Sequence, residues 1–315
     1  MASRKKEGLN GNSEKKDAKK QDLDEIPEGG LADIMKVLGP ALKFYTRVRL
    51  YKLFKLIPLW IRYSFWTFVG SIVWRLKATR KIINNGVESL RLIFPNKSPE
   101  EILTISKNSW RLMGYGFFSL LLVDVPNWTE KNLAKYVEFH GLEHVDNALK
   151  RGKGAIIAST HVGLLPAMYV GMALKGYKTN LIANVRVSGP LVAIRPVPGI
   201  RCIPTGAMEG PKSIRPKLHY ALKQNQLLYI FADFSQRKQM GIRFLGRLGH
   251  TPAGIPVLAQ ETGAAIIPAF TYPKSKNHMV IHFNPEYKLI QRPSMSKKEF
   301  LGENMLELKI GRAHV

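Results

Sequence analysis

From residue 136 to residue 283, short apolar runs of strand length alternate with stretches of helical period, and this alternation restricts the possible folds more than any other feature. Residues 137–140, 155–158, 181–183, 200–204, 227–232, 264–270 and 279–283 read as strands. Helices are predicted over 141–150, 162–174, 213–223 and 252–262, the last with Thr251 as its cap. The expected fold is α/β, with a central, mostly parallel sheet flanked by helices. Within it, Ala-Ile-Ile-Ala at 155–158 is apolar throughout, as a strand covered on both faces requires. The run stops at Ser159 and Thr160, so His161 falls at a strand-to-helix junction, the end of such sheets where chemistry gathers. On position alone two readings stand side by side: a group that titrates near neutrality at a site, or a packed or capping histidine.

Bulk properties narrow the partners. A formal charge of +25 over 315 residues favours an anionic one: nucleic acid, an acidic membrane surface, or an acidic carrier. Cys202 is the sole cysteine, so no internal disulfide and no cysteine cluster for zinc is available, and a reducing, cytosol-facing body is expected. His140, His144 and His219 follow no metal spacing and read as structural or surface groups, and His250 stands beside the Thr251 turn. No metal site and no dinucleotide or P-loop fingerprint is expected, since the glycines near 141 and 152–154 have the wrong spacing. No nucleic-acid motif accompanies the charge, which leaves membrane lipid as the expected anionic partner.

The amino-terminal third has its own logic. Residues 1–30 are lysine-rich and nearly free of large apolar groups, which predicts a disordered basic tail. Residues 31–77 mix basic and aromatic side chains and contain an apolar run, 56–74, long enough to approach a bilayer span. That run holds Pro58 and Arg62, carries Trp60, Trp66 and Trp74, and has positive charge at both flanks. Charge on both sides favours a helix or re-entrant hairpin in the cytoplasmic leaflet over a single span. From residue 78 the chain reads as an enzyme-like body extending to 308. Ser98-Pro-Glu-Glu101 starts a helix there, with Leu103, Ile105, Trp110, Met113, Phe117 and Leu121 spaced for one buried face. Residues 309–315, including His314, read as a translated sequencing adapter and are set aside.

Several segments, taken in order, resemble the lipid A biosynthesis acyltransferase family within the lysophospholipid acyltransferases. These are Phe94-Pro95; 139–145, Phe-His-Gly-Leu-Glu-His-Val; 150–163, ending in Ser-Thr-His161-Val-Gly; 182–186, Ile-Ala-Asn-Val-Arg; Phe231-Ala-Asp233; 241–246; 251–259; and 261–268. The resemblance spans roughly residues 75–305 and lies in the ordered set. It implies transfer of a fatty acyl group from a thioester of acyl carrier protein or coenzyme A to a hydroxyl of a membrane glycolipid or lysolipid. No other cofactor is implied, and the enzyme is held at the cytoplasmic face of the inner membrane. The family's active-site histidine corresponds to His161 as general base, which makes an alcohol nucleophilic at neutral pH. An acid five positions later orients that imidazole.

Here the sequence departs, because Pro166 stands where the family carries Glu or Asp. Proline suits the first turn of a helix but cannot orient a ring. Three readings remain: another carboxylate takes the acid's role, with Asp233 the first candidate; His161 works alone; or the chain is a lipid-binding relative without catalysis. Arg186 and Arg195, with Arg201 beyond them, are candidates for phosphate or carboxylate recognition. Gly246, Thr251 and Gly254 flank a turn into a helix whose amino end could face an anion or oxyanion.

Overall fold

The computed structural model describes residues 44, 48–116, 124–161, 165–184, 198–205, 211–233, 240–244, 247–276 and 278–310. The basic tail at 1–30, Arg186, Arg195, Gly246 and residues 311–315 lie outside them. Among the described residues the amino-terminal part contains α1 (Leu50–Phe54), α2 (Leu59–Arg75), α3 (Arg80–Ile93) and α4 (Pro99–Gly114). Then follow β1 (Val137–His140), α5 (Leu142–Leu149), β2 (Ala155–Ser159), α6 (Leu165–Leu174), β3 (Thr179–Asn184), β4 (Ile200–Thr205), α7 (Pro211–Lys223) and β5 (Leu227–Phe231). The chain continues through β6 (Met240–Phe244), β7 (Arg247–Thr251), α8 (Gly254–Thr262), β8 (Ala265–Ser275), β9 (His278–Phe283) and α9 (Lys297–Ile310).

Seven strands form one sheet in the order β1-β9-β8-β2-β5-β3-β4. β8, β2, β5, β3 and β4 run in one direction, and the antiparallel β8–β9 pair reverses it for β9 and β1. The mostly parallel sheet expected from the alternation is therefore present. β2 lies central and is buried along its whole length, which explains its unbroken apolar run. Side chains alternate between two layers. Ile157 and Tyr229 face the layer of α6, and Ile156, Leu228 and Ile230 face the layer containing Leu222, Ile255, Leu258 and Met305. Each fully buried isoleucine adds about 2 kcal/mol of apolar transfer.

Two elements differ from the sequence reading. β8 runs to Ser275 instead of stopping near 270, because beyond Pro268 it leaves the β2 ladder and pairs with β9. Its polar end, Tyr-Pro-Lys-Ser, carries no strand pattern of its own. Residues 240–251 form an antiparallel hairpin, β6 with β7, separate from the main sheet. Thr251 therefore ends a strand and does not cap α8, which starts at Gly254 with Ala253 as its uncapped boundary residue.

α2 buries several polar groups while a row of its large apolar side chains faces outward. On α2 the buried side chains are Arg62, Thr67 and Ser71, with Gly70, whereas Trp60, Phe65, Phe68 and Ile72 are exposed. α4 begins with the expected capping box, Ser98 and Glu101 bonding reciprocally. Its buried residues, however, are Ile102, Ser106 and Gly114, and the predicted core residues Leu103 and Met113 face outward. Ile105 and Trp110 of the predicted face are half-buried, with Trp110 packed against Ile83, Val87 and Ile102, and Phe117 and Leu121 lie outside the described residues. The stripe is thus only partly the buried one, because hydrophobic period does not say which solvent a face meets. α2 and α4 meet through glycines: a Cβ on Gly114 would lie 2.6 Å from the Trp66 carbonyl oxygen, and one on Gly70 would strike the Trp110 carbonyl. Small residues at a crossing permit this close backbone approach.

Arg62, which argued in the sequence against a membrane span, has a local role. Its guanidinium forms hydrogen bonds of 2.9 and 3.3 Å to the Asp124 carboxylate, and Lys55 Nζ lies 2.5 Å from the same group. Arg62 and Asp124 are 5% and 1% exposed, so each charge depends on the other for solvation. Asp124→Ala is expected to destabilise the protein by about 3–5 kcal/mol, since it strands a buried guanidinium. Arg62→Met should cost less, because Lys55 still faces Asp124. Denaturant midpoints for the two variants check this, and equal, negligible shifts would show the pair to be solvated.

Candidate active site

β2 and β5 are parallel neighbours in register, Ser159 opposite Phe231, so both chains leave the sheet at one level. His161 is the second residue beyond β2 and Asp233 the second beyond β5. The 72-residue separation in sequence thus closes at the carboxyl edge of the sheet. Asp233 Oδ1 lies 2.8 Å from His161 Nδ1, and its Oδ2 accepts the His161 backbone N–H at 2.6 Å. One carboxylate therefore holds both the ring and the peptide of the same histidine. The Phe231 ring, tilted by 42° with its centroid 4.7 Å away, supports the imidazole.

A carboxylate acceptor at Nδ1 assigns the ring hydrogen to that nitrogen and the lone pair to Nε2. The His161 and Asp233 side chains are 48% and 33% exposed, so the pair is open to a reactant from solvent. Burial alone would raise the Asp233 pKa, but the hydrogen bonds from the His161 ring and backbone outweigh it and hold it below its ordinary value. A depressed carboxylate pKa contributes stability that is present above the unfolded value of about 3.9 and is lost as pH falls through the folded value.

Pro166 is the second residue of α6, where its missing N–H falls in the first turn. The position that carries the acid in the resembling family is therefore occupied by an inert group, and the carboxylate beside His161 comes from the next strand. Thr251 is fully buried, and its hydroxyl donates to the Ala232 carbonyl at 3.0 Å, next to Asp233. Gly254 opens α8 three residues later, and a Cβ there would meet nothing within 4 Å. Arg201 is placed elsewhere: it stands near the amino end of β4, across the sheet from His161, with its guanidinium 5.7 Å from the Tyr220 ring centroid. His219 pairs with Glu261, His140 with Glu138, and His144 lies 3.9 Å from Glu143. His250 pairs across the hairpin with Gly241. Among the described residues no three His, Cys, Asp or Glu side chains group to hold a metal.

Sequence reading passed over Phe231 as a functional neighbour. The available signal was its place two residues before Asp233, on the strand parallel to the one that carries His161.

Fold and site together define an α/β protein with a carboxylate-supported histidine at the carboxyl end of a mostly parallel sheet. The profile of the bacterial lipid A biosynthesis acyltransferases matches residues 37–305, and the chain belongs to that family. It is 25% identical over 181 residues to phosphatidylinositol mannoside acyltransferases from two strains of Mycobacterium tuberculosis, CDC 1551 / Oshkosh and ATCC 25618 / H37Rv. Each match covers 55% of this chain and 55% of the relative, so the chain spans about half the length of the curated relatives it matches. Among solved structures it is similar to the 1-acyl-sn-glycerophosphate (LPA) acyltransferase of Thermotoga maritima. That similarity has a TM-score of 0.35 at 12% identity, covering 78% of this chain and 95% of the other.

Proposed function

We propose that this protein is an O-acyltransferase that works at a membrane surface, moving a fatty acyl group from a thioester to a hydroxyl of a glycolipid or lysolipid. The contact between His161 Nδ1 and Asp233 carries the reading. With its lone pair on Nε2, the ring takes the proton of the acceptor hydroxyl while that oxygen attacks the thioester carbonyl. The tetrahedral intermediate collapses as the C–S bond breaks, and the leaving sulfur receives the proton from the imidazolium. Asp233 fixes the tautomer and balances the positive ring in between. The amino end of α8 at Gly254, which lacks a side-chain cap, offers N–H groups for an oxyanion or phosphate. Arg186, Arg195 and Gly246, outside the described residues, are also proposed to bind substrate. The charge of +25 suits either donor, acidic acyl carrier protein or the phosphates of coenzyme A.

Surface chemistry supports the membrane location. No described helix is long and apolar enough to cross a membrane. α2 nevertheless turns Trp60, Phe65, Phe68 and Ile72 outward and buries its arginine, an arrangement that is costly in water and favourable when hydrocarbon is the solvent on that side. Leu112 and Met113 of α4 and Ile82 of α3 extend the apolar exposure. The triple change Phe65→Ser, Phe68→Ser, Ile72→Ser should weaken co-sedimentation with phosphatidylglycerol-containing vesicles about ten-fold or more. Unchanged vesicle binding with an unchanged fold would remove α2 from the contact.

Pro166 favours one competing reading, a lipid-binding relative without catalysis. Incubating the full chain with labelled acyl carrier protein and coenzyme A thioesters, over lipid A precursor, mannoside lipid and lysophospholipid acceptors, separates the two. Labelled ester product supports the enzyme, whereas lipid binding without product for any pair supports the alternative.

A further inference from the structure

The proposed reaction needs Asp233 held within a fraction of an ångström of its place, since one carboxylate must meet two separate N–H groups of His161. Asp233 follows the last residue that forms a ladder bond, and a two-residue exit from a strand does not by itself fix a side chain. The residue before it, Ala232, is held through both of its backbone polar groups. The Ala232 N–H donates to the Ser159 carbonyl at 2.8 Å, which extends the β2–β5 ladder by one rung beyond β5. The Ala232 carbonyl accepts the Thr251 hydroxyl at 3.0 Å. Ala232 and Thr251 are 2% and 0% exposed, so water cannot readily replace either partner.

We infer that Thr251 is a positioning residue for the site: its hydroxyl fixes the plane of the Ala232–Asp233 peptide, and thereby the direction of the Asp233 carboxylate toward His161. This inference rests on the proposed His161–Asp233 chemistry for its catalytic consequence, but its geometric content is independent of activity. The Thr251 hydroxyl donates to a backbone carbonyl and does not, as expected from the sequence, cap the following helix. The β6–β7 hairpin stands outside the main sheet, and β7 ends at the residue that carries this hydroxyl.

The geometry sets what each substitution does. Thr251→Val keeps the branched shape and removes the donor, leaving the Ala232 carbonyl unpaired and its peptide free to turn. Thr251→Ser keeps the donor and loses one methyl group. Two readouts are compared on the full chain in detergent. The first is amide hydrogen exchange at His161, whose N–H donates to Asp233. The second is the split of acyl-transfer kinetics into kcat and KM. T251V is expected to speed His161 exchange about ten-fold and lower kcat about ten- to fifty-fold, with both KM values within about two-fold of wild type. T251S should return both readouts to within about three-fold of wild type.

Wild-type exchange at His161 in folded T251V overturns the inference, as does a loss in T251V that T251S shares. If T251V does not fold, T251A is read in the same two assays and decides by the same criteria. Faster His161 exchange in T251V, in a chain that transfers no acyl group, leaves the clamp standing and removes the enzymatic reading instead.

Discussion

His161→Ala should lower acyl transfer by about 10³-fold or more while leaving the fold intact. The ring is half-exposed and contributes little to the core, so its loss should shift the thermal midpoint by only a degree or two. The size of the effect follows from the nucleophile. A lipid hydroxyl near pH 7 is almost wholly protonated, and in the proposed reaction His161 accepts its proton in the transition state. Replacing it removes that route and leaves only proximity and any oxyanion contacts from the amino end of α8. The measurement is initial-rate transfer from a labelled thioester, with circular dichroism of the same preparation. Equal rates for the wild type and His161→Ala would assign the chemistry to another group.

Asp233→Asn should cost about 10²-fold or more in kcat, with KM changed much less. The amide keeps the shape of the acid but offers an N–H where an acceptor is needed. Its oxygen can still accept one of the two His161 donors, not both, and the tautomer with the lone pair on Nε2 loses its support. Pro166→Glu in the otherwise unchanged chain should give no gain, because Asp233 already occupies Nδ1. A several-fold rise in kcat on Pro166→Glu, together with a near-neutral Asp233→Asn, would show that the ring turns away from Asp233 in the working enzyme. Since the Asp233 pKa is lowered, an acid limb of the rate profile above about pH 5 belongs to a group other than Asp233.

The order of elements and the identity of the central histidine were legible along the chain. A short apolar run such as 155–158, between glycines and a polar stop, fits a strand covered on both sides, and its end marks the carboxyl edge. Helix starts were equally local: Ser98 and Glu101 are three residues apart, and their capping box needs nothing else. Asp233 was already the first candidate for the missing acid, read from its place after a strand. That it reaches both the ring and the peptide of His161 depends on β2 and β5 being neighbours in register, which no local pattern specifies.

The failures share a cause. The β6–β7 hairpin is short and glycine-bearing, and the alternation of Met240, Ile242 and Phe244 extends over only five residues. Leu103 and Met113 lie on a regular stripe, but a stripe has the same period whether it faces a core or a lipid surface. Arg62 signals a break in an apolar run until Asp124, 62 residues away, neutralises it.

Most strand and helix positions, and the place of His161 just beyond a central strand, were thus written in the sequence, while the β6–β7 hairpin and the far end of β8 were not. Backbone propensity and hydrophobic period act over a few residues and are written locally. Tertiary structure decided that the Asp233 carboxylate meets the ring and the peptide of His161, that the Thr251 hydroxyl reaches the Ala232 carbonyl, and that Trp60, Phe65, Phe68 and Ile72 of α2 face outward. Each of these depends on contacts between residues far apart in the chain, and only strand order and helix packing bring them within hydrogen-bonding or van der Waals reach.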